Sequence, residues 1–227
     1  MRVNKESMLL YAVTDRTWLG SSSLEEQVGA AIKGGVTFLQ LREKQIPFGE
    51  FVNEAMRIKM ITDRARIPFV INDNIEVALA CNADGVHVGQ GDMPAVEARR
   101  RIGPNKILGV SVETAEQAIE AERAGADYLG VGAVFPTSTK LDASYVLPET
   151  LKAICEAVKI PVVAIGGISK ENVHKLSGSG ISGIAVVSAI FAQPNIENAA
   201  REMAAFARRA VVPWKSRGQS STLMGPF

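Results

Sequence analysis

Short apolar runs alternate with amphipathic stretches along most of the chain. The runs are MLLYAV, TFLQL, PFVIN, GVHVG, KILGVSV, YLGVGAVF, PVVAIGG and GIAVVSAI. They are rich in Val, Ile, Leu and Gly and hardly alternate with polar residues, which is the pattern of parallel strands covered on both faces. Between the first two runs, Leu24, Val28, Ala31 and Ile32 form one helical stripe. Ser23 and Glu26 form a capping box ahead of it, and Gly34 and Gly35 close it. Further helices are predicted over about Phe48–Arg64, Ile75–Cys81, Ala95–Ile102, Ala115–Ala124, Glu149–Val158, Asn172–Leu176 and Ile196–Val211.

Eight strand–helix units in about 200 residues predict α/β architecture of one kind, a closed (β/α)8 TIM barrel near the lower size limit of that fold. An open doubly wound sheet is the alternative. Such sheets tend to carry a glycine-rich phosphate turn after the first strand, whereas here that strand runs into TDRTWLG. No linker or shift in composition interrupts residues 8–211, so a single catalytic domain is expected over 1–212. The remainder, PWKSRGQSSTLMGPF at 213–227, is polar and aperiodic and reads as a loose tail.

Composition narrows the function classes. The chain has 227 residues, 47% hydrophobic and 22% charged, with a formal net charge of +1. A near-neutral protein has no global field to attract nucleic acid or an anionic membrane, so any anion site must be built locally. No apolar stretch is long enough to span a bilayer. MRVNKESMLLYAV lacks a secretory pattern, because its apolar run is short and meets Thr14, Asp15 and Arg16 at once. Cys81 and Cys155 lie in predicted helices without metal-ligand spacing and read as core thiols of a reducing compartment, so a cytoplasmic location is expected. The oligomeric state stays open, a homo-oligomer included.

A barrel of this kind carries its site at the C-terminal ends of its strands. The second run ends in QLREK, with Gln40, Arg42 and Lys44 on one side by period-two alternation. The third ends with Asn72 and Asp73, the fourth with Gln90 and Asp92, and the fifth carries Ser111. The sixth runs into FPTSTK, with Thr137, Ser138, Thr139 and Lys140 in a row. The seventh ends at Gly166 and Gly167, and the eighth at Val187 and Ser188. Singly, each is a cap or a solvated loop residue. On one rim they have a shared meaning. Asp73 and Asp92 suit Mg2+, which keeps waters and shares phosphate oxygens. Arg42, Lys44 and Lys140 are cations for a diphosphate. Three cations and a divalent metal against two carboxylates leave about +3, the scale of charge that holds a diphosphate leaving group. Gly166 and Gly167 permit close backbone approach to an anion, and Ser188 opens a short helical turn, so a second, monophosphate site is expected there.

Taken together and in order, QLREK, IND, GVHVGQGD, GVSV, FPTSTK, AIGGI and VVSAIF closely resemble the thiamine phosphate synthase family over nearly all of residues 9–206. The resemblance implies a Mg2+-dependent transferase acting on small phosphorylated substrates. Such an enzyme joins 4-amino-2-methyl-5-(diphosphooxymethyl)pyrimidine to 4-methyl-5-(2-phosphooxyethyl)thiazole and releases diphosphate. Carried over residue by residue, it implies that Gln40, Arg42, Lys44, Asn72, Ser111 and Lys140 hold the pyrimidine diphosphate, with Lys140, Arg42 and Ser111 catalytic. It implies Asp73 and Asp92 as metal ligands. Thr137, Ser138, Thr139, Gly167, Val187 and Ser188 would line the thiazole phosphate site.

The chain departs from the family pattern at Leu141, where relatives often carry a polar residue, in SYVLP after Asp142, and at Glu113, where many have histidine. A thiazole tautomerase of the same fold would not need the acidic pair, and its histidine after GxSV is absent here. A non-catalytic phosphate-binding barrel would not need both carboxylates and all three cations. His87 admits two readings, a group behind the site or a hydrogen-bonded core histidine, and His174 is expected on an exposed helical face.

Overall fold

The computed structural model describes residues 3–137 and 145–211. Its eight strands are β1 (Leu10–Val13), β2 (Phe38–Leu41), β3 (Phe69–Asn72), β4 (Gly85–Val88), β5 (Ile107–Val112), β6 (Tyr128–Val131), β7 (Val162–Ile165) and β8 (Gly183–Val186). All pair in parallel with their neighbours in chain order, and β8 closes on β1 with Leu10 opposite Ile184. The architecture is therefore a single (β/α)8 barrel, as the alternation of apolar runs and stripes predicts.

The helices are α1 (Leu24–Lys33), α2 (Phe48–Ala65), α3 (Ile75–Ala80), α4 (Ala95–Ile102), α5 (Ala115–Arg123), α6 (Pro148–Ala157), α7 (Ser188–Phe191) and α8 (Ile196–Val211). The predicted cap of α1 is present in both directions, Ser23 to the Glu26 backbone and Glu26 to the Ser23 backbone. One predicted helix is different. The Asn172–Leu176 stretch forms only a 3-10 turn, Val173–Leu176. Gly178 and Gly180 follow directly, both with positive φ, and glycines in that conformation end a helix. His174 is exposed on this turn. Cys81 is buried just after α3, Cys155 is half-buried in α6, and both are free thiols.

Two cores result. The larger lies between the barrel wall and the helices, where each strand's outward residues, such as Leu39, Ile71 and Leu129, meet α-helical stripes. The smaller fills the barrel itself with Met8, Tyr11, Phe38, Val70, Ile107, Tyr128, Val163 and Ala185. This packed interior closes the N-terminal end of the barrel, so a cavity can form only at the other mouth. No helix among the described residues is long and apolar enough to cross a membrane. The tail expected over 213–227 lies outside the described residues.

Candidate active site

A cavity of about 430 Å³ opens at the C-terminal mouth. Gln40, Arg42, Lys44, Asn72, Asp73, Asp92, Ser111, Thr137, Gly167, Val187 and Ser188 all line it. Residues from seven strand ends thus meet in one place. Ser138, Thr139 and Lys140 lie outside the described residues, so the structure speaks only to the start of FPTSTK.

On β2, alternation puts Gln40 inside the barrel, where it is 5% exposed. The strand stops at Leu41, so alternation does not place Lys44. An ion pair with Asp73, Nζ to Oδ2 at 2.6 Å, brings it to the rim instead. The Arg42 backbone N–H donates to Thr14 Oγ1 at 3.0 Å, and its guanidinium lies 3.9 Å from Asp15. Thr14, Asp15 and Arg16 follow β1 directly, and no motif in the sequence gave them a role. Their available signal was position, a polar triplet directly after a strand.

Asp73 follows β3 with φ 61°, a left-handed conformation in which aspartate and asparagine are tolerated better than most residues. Burial pushes its carboxyl above the usual aspartate range; the Lys44 ammonium opposes that, and the Asp92 carboxyl beside it adds to it. Asp92 Oδ2 accepts the Gly89 backbone N–H at 2.8 Å. Two adjacent carboxylates repel one another, and a divalent cation between them relieves that repulsion. Among the described residues no cluster of three or more His, Cys, Asp or Glu forms a protein-only metal cage. A pair of carboxylates at a wet rim fits Mg2+, which commonly takes one or two carboxylates and completes its shell with water and phosphate.

Across the mouth, Gly166 and Gly167 both take positive φ, 99° and 63°. Beside the expected close backbone approach to an anion, packing gives Gly167 a second reason to be glycine. A Cβ at Gly167 would lie 2.3 Å from the Pro136 carbonyl oxygen and 2.8 Å from the Phe135 oxygen. The glycine lets the β7 turn press against the segment that carries Thr137. Asn172 fixes the same turn by donating to the Gly167 carbonyl at 2.8 Å. Val187 and Ser188 face the cavity at the start of α7, as predicted.

Three further groups of residues shape the site, and most of them had no role assigned from the sequence. Gln90 donates to the Ser111 carbonyl at 2.7 Å. Tyr11 and Tyr128 meet inside the barrel, hydroxyl to hydroxyl at 2.7 Å. His87 joins them, so both of its readings hold in part: it is buried and hydrogen-bonded, and it also lines the cavity.

The third group stands behind Arg42 and Lys44. Glu43 between them turns inward, its side chain only 3% exposed, and pairs with Arg16 at 2.8 Å. Arg16 also pairs with Glu54 of α2 at 2.6 Å. Glu43 Oε1 and Glu54 Oε2 are buried without a hydrogen-bond partner among the described residues. Burial pushes the Glu43 carboxyl up to about 7, with Arg16 opposing and the Glu54 carboxylate adding to it. A carboxyl raised in the fold stabilises most below its unfolded value near 4.5, and that contribution is lost as pH rises through about 7. Glu43→Gln is therefore expected to melt progressively higher relative to the parent as pH goes from 5 to 8. Parallel melting curves across that range would show that Glu43 ionises in the fold as it does unfolded.

A closed barrel with an acidic pair, two cations and a glycine turn facing one mouth is the architecture of a (β/α)8-barrel enzyme. Comparison with known proteins then gives the family. The thiamine monophosphate synthase family model, TMP-TENI, matches residues 10–190. A thiamine-phosphate synthase of Ruminiclostridium cellulolyticum is 52% identical over 200 residues, covering 88% of this chain and 95% of that protein. One of Clostridium acetobutylicum is 52% identical over 194 residues, covering 86% and 92%. A solved thiamine phosphate pyrophosphorylase from Pyrococcus furiosus superposes with a TM-score of 0.84 at 40% identity, covering 92% of this chain and 99% of that one. The chain belongs to the thiamine monophosphate synthase family, and it is an enzyme of the transferase class.

Proposed function

We propose that the protein condenses 4-amino-2-methyl-5-(diphosphooxymethyl)pyrimidine with 4-methyl-5-(2-phosphooxyethyl)thiazole in the presence of Mg2+, giving thiamine phosphate and diphosphate. One observation carries the reading. The acidic pair with Arg42 and Lys44, and the β7–β8 turns with Thr137, face each other across a single cavity. Two anionic ligands bound there would meet head to head.

In this reading Asp73 and Asp92 would hold Mg2+, which would supply charge neutralisation for the departing diphosphate. Arg42, Lys44 and Lys140 take the rest of the diphosphate charge. Gln40, Asn72 and Ser111 orient the pyrimidine end. Thr137, Ser138, Thr139, Gly167, Val187 and Ser188 hold the thiazole phosphate. The C–O bond to the diphosphate breaks with its electron pair leaving on oxygen, and the aminopyrimidine ring donates electron density to the methylene carbon. The thiazole nitrogen then supplies the pair for the new C–N bond. No side-chain nucleophile is required, and holding the two substrates in register supplies much of the acceleration. The cytoplasm is the proposed compartment, in keeping with the two free thiols.

The test is direct. Purified protein with both substrates and Mg2+ should form thiamine phosphate and release diphosphate only when the thiazole is present. Folded protein that yields no product at saturating substrates would overturn the reading. A tautomerase or a simple binding barrel would show no thiazole-dependent diphosphate release.

Two substitutions test the halves of the site. If Lys140 meets charge that grows as the diphosphate leaves, Lys140→Ala should lower kcat more than it raises KM for the pyrimidine. A near-normal kcat would return FPTSTK to an ordinary solvated loop. Gly167→Val strains a backbone at φ 63° and drives a Cβ against the Pro136 and Phe135 carbonyls. It should displace the Thr137 segment and weaken thiazole phosphate binding by calorimetry, with pyrimidine diphosphate binding little changed. Equal losses for both ligands would make Gly167 a residue of the barrel's structure alone.

A further inference from the structure

Five side chains form one continuous hydrogen-bonded chain across the barrel interior, at the floor of the cavity. Gln40 Nε2 donates to the Tyr11 hydroxyl at 2.5 Å. Tyr11 and Tyr128 hydroxyls lie 2.7 Å apart, and Tyr128 is 2.9 Å from His87 Nδ1. His87 Nε2 is 2.9 Å from Ser111 Oγ. The members come from β2, β1, β6, β4 and β5, and all but Tyr128 line the cavity, with Gln40 and Ser111 at the two ends of the chain. The interior is shaped to admit them. A Cβ at Gly109, the neighbour of His87 in the β4–β5 register, would lie 2.2 Å from the Tyr128 ring and 2.5 Å from His87 Nδ1.

The direction of this chain is set by its first donor. An amide nitrogen only donates. The Tyr11 oxygen therefore accepts from Gln40, and its own hydrogen has the Tyr128 oxygen as acceptor. Tyr128 passes its hydrogen to His87 Nδ1. In the neutral ring that leaves the imidazole hydrogen on Nε2, donated to Ser111 Oγ. Ser111 then turns its own hydroxyl hydrogen into the cavity. In the reverse direction, Nδ1 would donate to Tyr128 and Tyr128 to Tyr11. The buried Tyr11 hydroxyl, 1% exposed, would then find an acceptor only if the Gln40 amide were turned over, which would aim its NH2 instead of its carbonyl oxygen at the cavity. Burial also raises both phenols well above their usual range, so they act as neutral hydroxyls.

We propose that His87 and Tyr128 are positioning residues, which fix the imidazole as its Nε2–H tautomer and so make Ser111 a hydrogen donor to the diphosphate. The proposal rests on the function given above. It also accounts for the other end, where Gln40 keeps its carbonyl oxygen to accept from the pyrimidine amino group. Reversing the chain would turn a Ser111 lone pair toward an anion and replace attraction with repulsion.

Nitrogen-15 NMR of histidine-labelled protein without substrate reads the tautomer of His87 directly. The expected result is one protonated nitrogen, Nε2, and an unprotonated Nδ1. In Tyr128→Phe the imidazole loses its donor, and the two tautomers should become mixed. Kinetics supply the second readout. Tyr128→Phe should lower kcat on the order of 10-fold, the scale of one hydrogen bond, with KM for the thiazole phosphate unchanged. His87→Gln, whose Nε2 reaches toward Ser111 as the imidazole Nε2 does, should retain most of the turnover. His87→Asn, which is too short to reach, should not. An Nδ1–H tautomer in the parent protein overturns the proposal, and so does equal activity of the Gln and Asn variants. A parent protein without synthase activity would overturn the function reading instead, and the tautomer measurement on the protein alone would still decide the direction of the chain.

Discussion

Asp73→Asn and Asp92→Asn should each lower Mg2+-dependent turnover by on the order of 100-fold or more, while the melting temperature stays nearly constant. Asparagine is the right replacement at both places. Asp73 holds φ 61°, where asparagine is tolerated and alanine is strained, so the neutral variant keeps the backbone. Asp92 accepts the Gly89 N–H, and an amide oxygen can still accept it. Each variant loses charge beside the other carboxylate. In Asp73→Asn, Lys44 also loses its 2.6 Å ion-pair partner. Turnover measured against Mg2+ concentration separates the effects, since a lost metal ligand shifts the Mg2+ requirement upward. Unchanged Mg2+ dependence in either variant would remove that residue from the metal site.

Gly109→Ala should lower stability strongly. Its new methyl group would sit 2.2 Å from Tyr128 Cζ and 2.3 Å from the hydroxyl, with His87 Nδ1 at 2.5 Å. Tyr128 is fully buried on β6, and His87 is 8% exposed on β4. Neither can swing away without breaking barrel packing. Overpacking of this kind costs roughly 3 kcal/mol, a fall of about 6–12 °C in melting temperature for a chain of this size. Gly29→Ala is the matched control. It lies inside α1 and a Cβ there meets nothing within 4 Å, so a gain of about 0.5–1 kcal/mol is expected. A Gly109→Ala protein that melts like its parent would show that the barrel interior can repack around the added carbon.

Most of the architecture was legible because it is written in local periodicity. Buried parallel strands need continuous apolar runs, and covering helices need stripes, so eight of each predicted the barrel. The cap at Ser23 and Glu26 was equally local and is present. The one helix that shortened to a 3-10 turn, Val173–Leu176, did so between residues whose apolar spacing was too brief to decide its geometry. The candidate site was legible for a related reason. A barrel gathers its strand ends at one mouth, so the polar residues just past each strand become the lining of the cavity.

Some of the site depended on contacts distant in sequence. Tyr11 and Tyr128 each read as an ordinary strand aromatic, and they meet only because β1 and β6 face each other across a closed barrel, 117 residues apart in the chain. Glu43 in QLREK looks like one more rim charge, yet its side chain turns inward toward Arg16 and Glu54. Gly167 was legible at the mouth, but the packing that also requires a glycine there was not, because the atoms its Cβ would strike belong to the segment after β6.

Residue type and spacing along a few turns of chain thus specify the number of strands and helices, their order, and which polar residues stand at the rim. Those local signals do not say which way the rim residues face or what holds them. Direction and partnership arise when strands distant in sequence close into a barrel, because a hydrogen bond or ion pair exists only once both of its ends have been placed.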